Sequence, residues 1–353
     1  MIPIVTINYN GHSDTVELID SLNKSAESFD LIVVDNNSTN KEELEIIKKE
    51  LFSLGAKIIK TILAVSDNRI SSITTLSLSN SLITLIQAND NYGFATGTNI
   101  GLEYALTIHD DDYLCILNND TIVTKLFLTT IVDVLETEKS IGAAMGTIIH
   151  YGYEKQYIWS IGGHISYLKA TGVHEKQGLV FDPSKKNKNK YIKRKFVSGC
   201  FTVFKREVLI KIGLLDESYF FGTEEFQYSR DISKFSNIAW IPESIIYHKV
   251  KLENGHGSSH TIKNIEWQFN SYMNKIIFIN KNKGTIYRFF WKIIYKAYIK
   301  LIVIKKLRTS NFNNQLIDLF VSSLFSNLDS NSFTKEKFEL FKEKAEVIIN
   351  NEM

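Results

Sequence analysis

The first third of the chain alternates short, continuous apolar runs with amphipathic stretches, and that alternation restricts the fold more than any other feature. Ile4-Val5-Thr6-Ile7, Leu31-Ile32-Val33-Val34, Leu82-Ile83-Thr84-Leu85-Ile86 and Tyr113-Leu114-Cys115-Ile116-Leu117 are too short for helices and rich in β-branched residues. Helix patterns lie between them. Val16, Ile19 and Leu22 follow an Asp14/Glu17 capping box; Leu44, Ile47 and Leu51 follow Asn40 and Glu43; small and apolar residues run from about Thr96 to Ile108. Strands that are apolar throughout are buried on both faces, so the pattern predicts an α/β fold whose mainly parallel sheet is covered by helices.

Composition narrows the class. Of 353 residues, 41 are Lys or Arg and 39 are Asp or Glu, a formal net charge of +2, and 44% are hydrophobic. This is globular composition; it excludes a disordered polyelectrolyte and the uniformly basic surface of a dedicated nucleic-acid binder. Cys115 and Cys200 sit inside apolar runs, which fits a reducing, cytoplasmic setting better than a disulfide framework. Met1-Ile2-Pro3-Ile4-Val5 lacks the basic segment of a signal peptide, and no uncharged apolar run reaches the roughly 18 residues that would span a membrane.

The length allows one large domain with an appendage, or two domains. We expect a first domain over residues 1–255 and a helical extension over 256–353. Within the first, the Ser-, Thr- and Leu-rich stretch 61–82 has weak periodicity and reads as an insertion with little regular structure. Residues 183–195 hold seven Lys or Arg among several Asn and read as an exposed mobile loop. Gly255-His256-Gly257-Ser258-Ser259-His260 reads as a polar lid.

Three of the four strands end in concentrated polar chemistry: Asn8-Tyr9-Asn10, Asp35-Asn36-Asn37-Ser38 and Asn118-Asn119-Asp120. Asn, Asp and Ser favour turns and N-caps, so any one of these segments is explained as turn chemistry. Three along one edge of a parallel sheet, where ligands bind beyond the carboxyl ends of strands, point to a site.

With Asn91-Tyr92-Gly93-Phe94-Ala95, Asn99 and Gly101 placed before the third segment, the pattern resembles bacterial family 2 glycosyltransferases, nearest to the rhamnosyltransferase-like enzymes of surface polysaccharide assembly. Further motifs follow in the family's order: Trp159-Ser160-Ile161-Gly162-Gly163, Ser198-Gly199-Cys200, Gly213-Leu214-Leu215-Asp216-Glu217, Glu224-Glu225, and Pro242 through Tyr247-His248. The resemblance covers about residues 3–250. It implies a GT-A fold, a nucleotide-diphospho-sugar donor, Mg²⁺ or Mn²⁺ as cofactor, and inversion at the anomeric carbon.

Residue by residue, the resemblance assigns roles. Asp35 matches the carboxylate that accepts a hydrogen bond from the imide N–H of uracil or thymine, a task suited to a group that only accepts. Thr6, Asn8, Asn10 and Asn37 fall along the same donor-binding edge, and Asn91, Gly93 and Asn99 match the stretch that shapes the nucleotide pocket. Asn118-Asn119-Asp120 stands at the family's Asp-X-Asp motif, which holds the metal against the donor diphosphate. His248 matches a histidine that helps bind the metal or the diphosphate. Trp159, Gly199 and Cys200 fall on the acceptor side. The general base maps onto Glu225, with Glu224 as its fallback. Two departures stand out: Asn118 replaces the first acid of Asp-X-Asp, leaving Asp120 as the anionic ligand, and Gln227 occupies the place of a further acid.

From Trp267 to Ile317 there are ten Lys or Arg and no Asp or Glu. Arg288, Lys292, Lys296 and Lys300 recur every fourth residue on an expected helix over about 284–308, with Phe290, Ile294, Ala297, Tyr298, Leu301 and Ile304 on the opposite side and Trp291 at the boundary. Two readings stand: a helix lying on an anionic membrane surface, or one packed on the catalytic body or in a homodimer interface with its lysines in solvent. No nucleic-acid-binding motif accompanies the basic stripe. The resemblance thus implies a glycosyltransferase moving a sugar from a UDP- or dTDP-linked donor, dTDP-rhamnose among them, to a lipid-linked surface glycan at the inner membrane face. The competing expectation is a non-catalytic nucleotide-sugar-binding or scaffold subunit of a glycan assembly complex.

Overall fold

The computed structural model, which describes residues 1–25, 27–63, 66–182, 189–250 and 262–350, turns the four apolar runs into neighbouring parallel strands. Two compact units emerge. The first comprises Met1–His164, Val173–Asp216 and Glu224–Leu252; the second comprises Ile165–Gly172, Glu217–Thr223 and Glu253–Met353.

In chain order the elements run β1 (Ile2–Asn8), α1 (His12–Lys24), β2 (Phe29–Asp35), α2 (Glu43–Ser53), β3 (Lys57–Ile62), β4 (Ile70–Leu78), β5 (Ser81–Ala88), α3 (Gly93–Ile108), β6 (Tyr113–Leu117), β7 (Thr121–Val123), α4 (Thr129–Thr137) and β8 (Ile141–His150). There follow β9 (Ile158–Ser160), β10 (Gly163–Ser166), β11 (Thr171–His174), β12 (Ile192–Arg194), β13 (Phe201–Lys205), α5 (Arg206–Ile212), α6 (Glu224–Ile232) and β14 (Asn237–His248). The main sheet has the order β12-β14-β8-β13-β6-β1-β2-β5-β4-β3, with β7 paired to β14 and β9 to β8. β6, β1, β2 and β5 are parallel, as the apolar runs require. The chain builds outward from β1 to β2 and β5, then α3 returns it to β6 on the other flank of β1. That reversal opens a crevice at the carboxyl ends of β1 and β6.

α3 can cover this part of the sheet because Gly101 has no side chain. A Cβ there would lie 2.4 Å from Val5 Cγ1 and 3.1 Å from Val34 Cγ2, so the helix backbone rests directly on β1 and β2.

Several expectations need correction. The stretch 61–82 has more regular structure than its pattern suggests: β4 runs antiparallel to the parallel strand β5 and β3 antiparallel to β4, extending the sheet, with β4 and β5 joined through Ser79 and Asn80. Its alternation was hidden because a register shift between Ile70 and Ser72 puts Ile70 and Ile73, three residues apart, both in the core. Within the basic stretch, Ile192–Arg194 is an edge strand on β14, and the Arg194 guanidinium lies 4.9 Å from the Trp240 ring centre; residues 183–188 lie outside the described residues, as do His256 and His260. Asp14 and Glu17 do not cap α1, which begins earlier at His12; they hold Lys249 Nζ at 2.9 and 2.6 Å instead.

The second unit is helical: α7 (Ile262–Asn282), α8 (Thr285–Tyr298), a π-helical turn (Ile299–Val303), α9 (Ile304–Thr309), α10 (Asn314–Ser326) and α11 (Lys335–Asn350). Phe269, Phe320, Phe333 and Phe341 form its aromatic centre, with Phe269 stacked on Phe341 at 3.8 Å. α8, the π turn and α9 continue one another, and their buried line is Trp291, Tyr295, Ile299, Val303 and Leu307. Residues four apart drift by about 40° per step on an α-helix, and the wider π turn winds part of that drift back, so one line stays buried over 17 residues. Of the apolar side that the sequence left open between a membrane surface and a packed interface, Phe290, Ile294 and Leu301 are exposed. No helix among the described residues is long and apolar enough to cross a membrane.

Candidate active site

The parallel register brings Asn8 opposite Asp35 at the ends of β1 and β2, and their side chains start a hydrogen-bonded chain across the strand ends. Asn8 Nδ2 donates to Asp35 Oδ1 at 2.8 Å, and Ser38 Oγ donates to the same oxygen at 2.6 Å. Ser38 N donates to Asp35 Oδ2 at 3.2 Å. Asp35 is 2% exposed and accepts three hydrogen bonds, so one acceptor direction, on Oδ2, is left for a ligand. Beyond it, Asn10 N donates to Ser38 Oγ at 2.8 Å, and Asn10 Oδ1 receives Thr39 N. Asn10 and Asn37 both adopt left-handed backbone, which asparagine tolerates. Asn37 faces outward, where Lys41 donates to its side chain. Thr6 is buried on β1, and its hydroxyl has no hydrogen-bond partner among the described residues.

In the other direction Asn8 Oδ1 accepts from Thr15 Oγ1 at 2.9 Å, and Thr15 Oγ1 accepts from Asn119 Nδ2 at 3.1 Å. The Asp35 end and the Asn118-Asn119-Asp120 end are therefore joined through side chains of β1 and α1. Gly11 lies under this chain: a Cβ on it would come within 2.8 Å of Asn119 Nδ2. Replacing Gly11→Ala should push Asn119 off Thr15 and weaken donor affinity by about 1 kcal/mol, or roughly fivefold, the loss expected for one hydrogen bond. Titration calorimetry with the donor nucleotide reads that change.

Asp120 precedes β7, and β7 pairs with the end of β14 in the register Thr121 opposite His248. That register sets Asp120 Oδ1 3.0 Å from His248 Nε2. The two atoms meet without the alignment of a hydrogen bond, and His248 Nδ1 has no partner either, although the ring is 3% exposed. Buried polar atoms are normally satisfied, so an oxygen and an imidazole nitrogen held together unbonded suit a shared cation. The donors present fit a divalent metal, with Asn118 as a neutral neighbour. Among the described residues no group of three or more His, Cys, Asp or Glu could hold a metal, so a cation at Asp120 and His248 would need oxygens from its ligand to complete its shell.

Asn118 N donates to Cys200 O at 2.9 Å, which docks the metal-side segment on Ser198-Gly199-Cys200. Gly199 faces Glu225: a Cβ on Gly199 would lie 3.7 Å from Glu225 Cβ and 3.4 Å from the Phe94 ring. Glu224 and Glu225 open α6, where the helix dipole favours anions. Thr223, immediately before them, has φ +81°, a strained conformation for a β-branched residue. Burial, and then the nearby Asp120 charge, push the Cys200 thiol well up, so it stays protonated and is no nucleophile.

Three further expected residues make these contacts. Trp159, assigned to the acceptor side, packs edge-on against His248 at 4.6 Å between ring centres. Asn99, assigned to the nucleotide pocket, clamps the backbone of Leu215 through both ends of its amide, at 2.9 and 3.0 Å. Asn91 bonds Gly93 N and Asn36 Nδ2 at 3.0 Å each, shaping the turn into α3. Asn36, Thr15, Gly11 and Glu43 were not foreseen as site residues. Glu43 reads as a helix cap in sequence, yet it is 2% exposed and accepts His12 N at 2.7 Å. His174 was also missed; it lies between Trp159 and Phe196, and burial lowers its pKa, keeping the ring neutral.

Residues 64–213 match the family model described as Glycosyl transferase family 2, a stretch that includes Asn91, Asp120, Trp159 and Cys200 and stops before Glu224 and His248. The match covers less than half of the chain. No curated protein matches the sequence. A solved structure of GalNAc-T7 with UDP, GalNAc and Mn²⁺ is similar at 16% identity and a TM-score of 0.53, over 88% of this chain and 58% of that one. This chain thus spans little more than half the length of that relative. The mannosyltransferase PcManGT from Pyrobaculum calidifontis, in complex with GDP-Man and Mn²⁺, aligns at 14% identity and a TM-score of 0.49, over 98% of this chain and 86% of that one. The fold is GT-A: a mixed, mostly parallel sheet with helices and a C-terminal helical region.

Proposed function

We propose that the protein is an inverting, metal-dependent glycosyltransferase that moves a sugar from a UDP- or dTDP-linked donor, with dTDP-rhamnose among the candidates, to a lipid-linked surface-polysaccharide acceptor. The observation that carries this reading is the side-chain chain from Asp35 to Asn119, which ends beside the unbonded Asp120–His248 pair. One end suits a pyrimidine imide N–H and the other a diphosphate. GalNAc-T7, which shares the fold, is held with UDP and Mn²⁺. Here Asp120 and His248 would hold Mg²⁺ or Mn²⁺, with the Asn118 amide oxygen able to join. Such a cation, when bound, offsets negative charge on the departing nucleoside diphosphate.

Glu225 takes the proton of the acceptor hydroxyl; the acceptor oxygen bonds to the anomeric carbon as the bond to the diphosphate breaks, and the electron pair leaves with the nucleotide. Thr6, Asn8, Asn10 and Asn37 border the donor base; Asn91 and Gly93 shape the turn beside it, and Asn99 positions that wall through Leu215. Thermal unfolding with a panel of nucleotide sugars tests the reading. A UDP- or dTDP-sugar with Mn²⁺ should stabilise the native state, by about 2.7 kcal/mol at one hundred times its dissociation constant. Indifference to every nucleotide sugar would overturn it.

A second reading, a non-catalytic nucleotide-sugar-binding or scaffold subunit, is favoured by Asn118 in place of an acid and by Gln227, whose amide donates to Asp231 at 2.9 Å. Slow donor hydrolysis above background supports transferase chemistry; binding with no hydrolysis supports the scaffold.

A further inference from the structure

The helix running from Thr285 to Thr309 presents three faces, and one of them has no partner among the described residues. Its buried line rests on the second unit's own residues: Tyr295 Oη donates to Tyr272 O at 2.8 Å, and Trp291 Nε1 donates to Leu168 O at 3.0 Å. Beside that line runs the basic row of Arg288, Lys292, Lys296 and Lys300, with Lys305, Lys306 and Arg308 exposed or nearly so at the carboxyl end. The remaining face is apolar. Ile286 is 77% exposed, Phe289 61%, Phe290 60%, Ile293 52%, Ile294 55% and Leu301 73%. Six large apolar side chains on consecutive turns exceed the scattered exposure that folded proteins tolerate, and such a patch marks an interaction surface.

We infer that this face docks on an anionic lipid bilayer, with the helix in the plane of the interface, its phenylalanines and isoleucines among the acyl chains and the basic row against phosphate headgroups. Charge selects this occupant. From residue 267 to 317 there is no acidic side chain, and the basic row is faced by Asp329, which pairs with Lys292 and whose charge also acts on Arg288 and Lys296. A second copy docked through the same face would bring two cationic rows together with no acid from this segment to offset them; a bilayer containing phosphatidylglycerol supplies the missing negative charge. The helix is too charged to span, so it lies on the surface. The buried line matters here, because it fixes which way the apolar face turns: the helix is held to its unit by Trp291 and Tyr295 and cannot roll to hide Phe289 and Phe290. This inference goes beyond the transfer reading and does not depend on it, since no sugar nucleotide is needed to observe it.

Co-sedimentation of the full chain with vesicles tests it. Vesicles of phosphatidylcholine with 30% phosphatidylglycerol, roughly the anionic content over which a polybasic helix is drawn to a surface, should carry the protein down. Vesicles of phosphatidylcholine alone should carry at least tenfold less, and added salt should weaken the anionic binding. The double variant Phe289→Ser with Phe290→Ser should lose binding at least tenfold while keeping its thermal unfolding midpoint, because both side chains are in solvent. Lys296→Glu with Lys300→Glu should lose the preference for anionic vesicles. Wild-type protein that stays in the supernatant with anionic vesicles at low salt overturns the inference. So does a wild-type dimer in light scattering that the Phe289→Ser, Phe290→Ser variant converts to monomer, which would make the face a contact between copies.

Discussion

Replacing Glu225→Gln should reduce turnover by about 10²–10⁴-fold, the range a positioned general base contributes, while the dissociation constant for the donor nucleotide stays within about twofold of wild type. The variant is isosteric, and its amide cannot take a proton. Glu225 stands beside Gly199 and Phe94, whereas the polar chain at the strand ends is built by Asn8, Asp35, Ser38, Thr15 and Asn119. Losing the base should therefore leave the donor contacts in place. Single-turnover sugar transfer, with nucleotide binding by calorimetry, separates the two effects. Turnover close to wild type would remove Glu225 from the role, and a loss confined to Glu224→Gln would move it one residue back.

The second large effect is expected at the Asp120–His248 pair. Asp120→Ala removes the carboxylate that faces His248 and should weaken Mn²⁺-dependent nucleotide binding tenfold or more, about 1.4 kcal/mol at the least. His248→Ala should act in the same direction. Binding measured in chelator should barely change in either variant, because the Asp35 end of the chain is untouched. Titrations with and without Mn²⁺ give that difference directly, and a wild-type metal dependence in Asp120→Ala would count against the site.

Much of this was legible beforehand because local rules and global fold agree. Continuous β-branched runs gave four parallel strands, and polar clusters at three of their ends gave the crevice. The parts that were not legible share one cause: burial is decided by residues far away in sequence. Glu43 has the spacing of a capping residue, and only the arrival of β1 and His12 turns it inward. Asp14 and Glu17 likewise look like a cap until β14 delivers Lys249. Stretch 61–82 lost its two-residue period at a bulge. On the basic helix a π turn lets every fourth residue stay buried, a spacing that a plain helical wheel assigns to a drifting stripe, and so the buried line through Trp291 and Tyr295 was not visible in the pattern. Gly11 and Gly101 gave no signal beyond being glycine; their meaning appears only when a missing Cβ is measured against Asn119 or Val5.

The side-chain chain from Asn10 through Ser38, Asp35, Asn8 and Thr15 to Asn119 has a consequence for selectivity. Every member is tied to at least one other at hydrogen-bonding distance, and its links cross the ends of three adjacent strands. The chain acts as a caliper whose jaws cannot be opened independently. On the proposed function, a nucleotide sugar would be gauged by the span between its base and its diphosphate, and the gauge would be blind to the sugar itself. Evolution of a new sugar preference would leave this ruler alone and work on the far wall, around Gly199, Phe94 and Trp159.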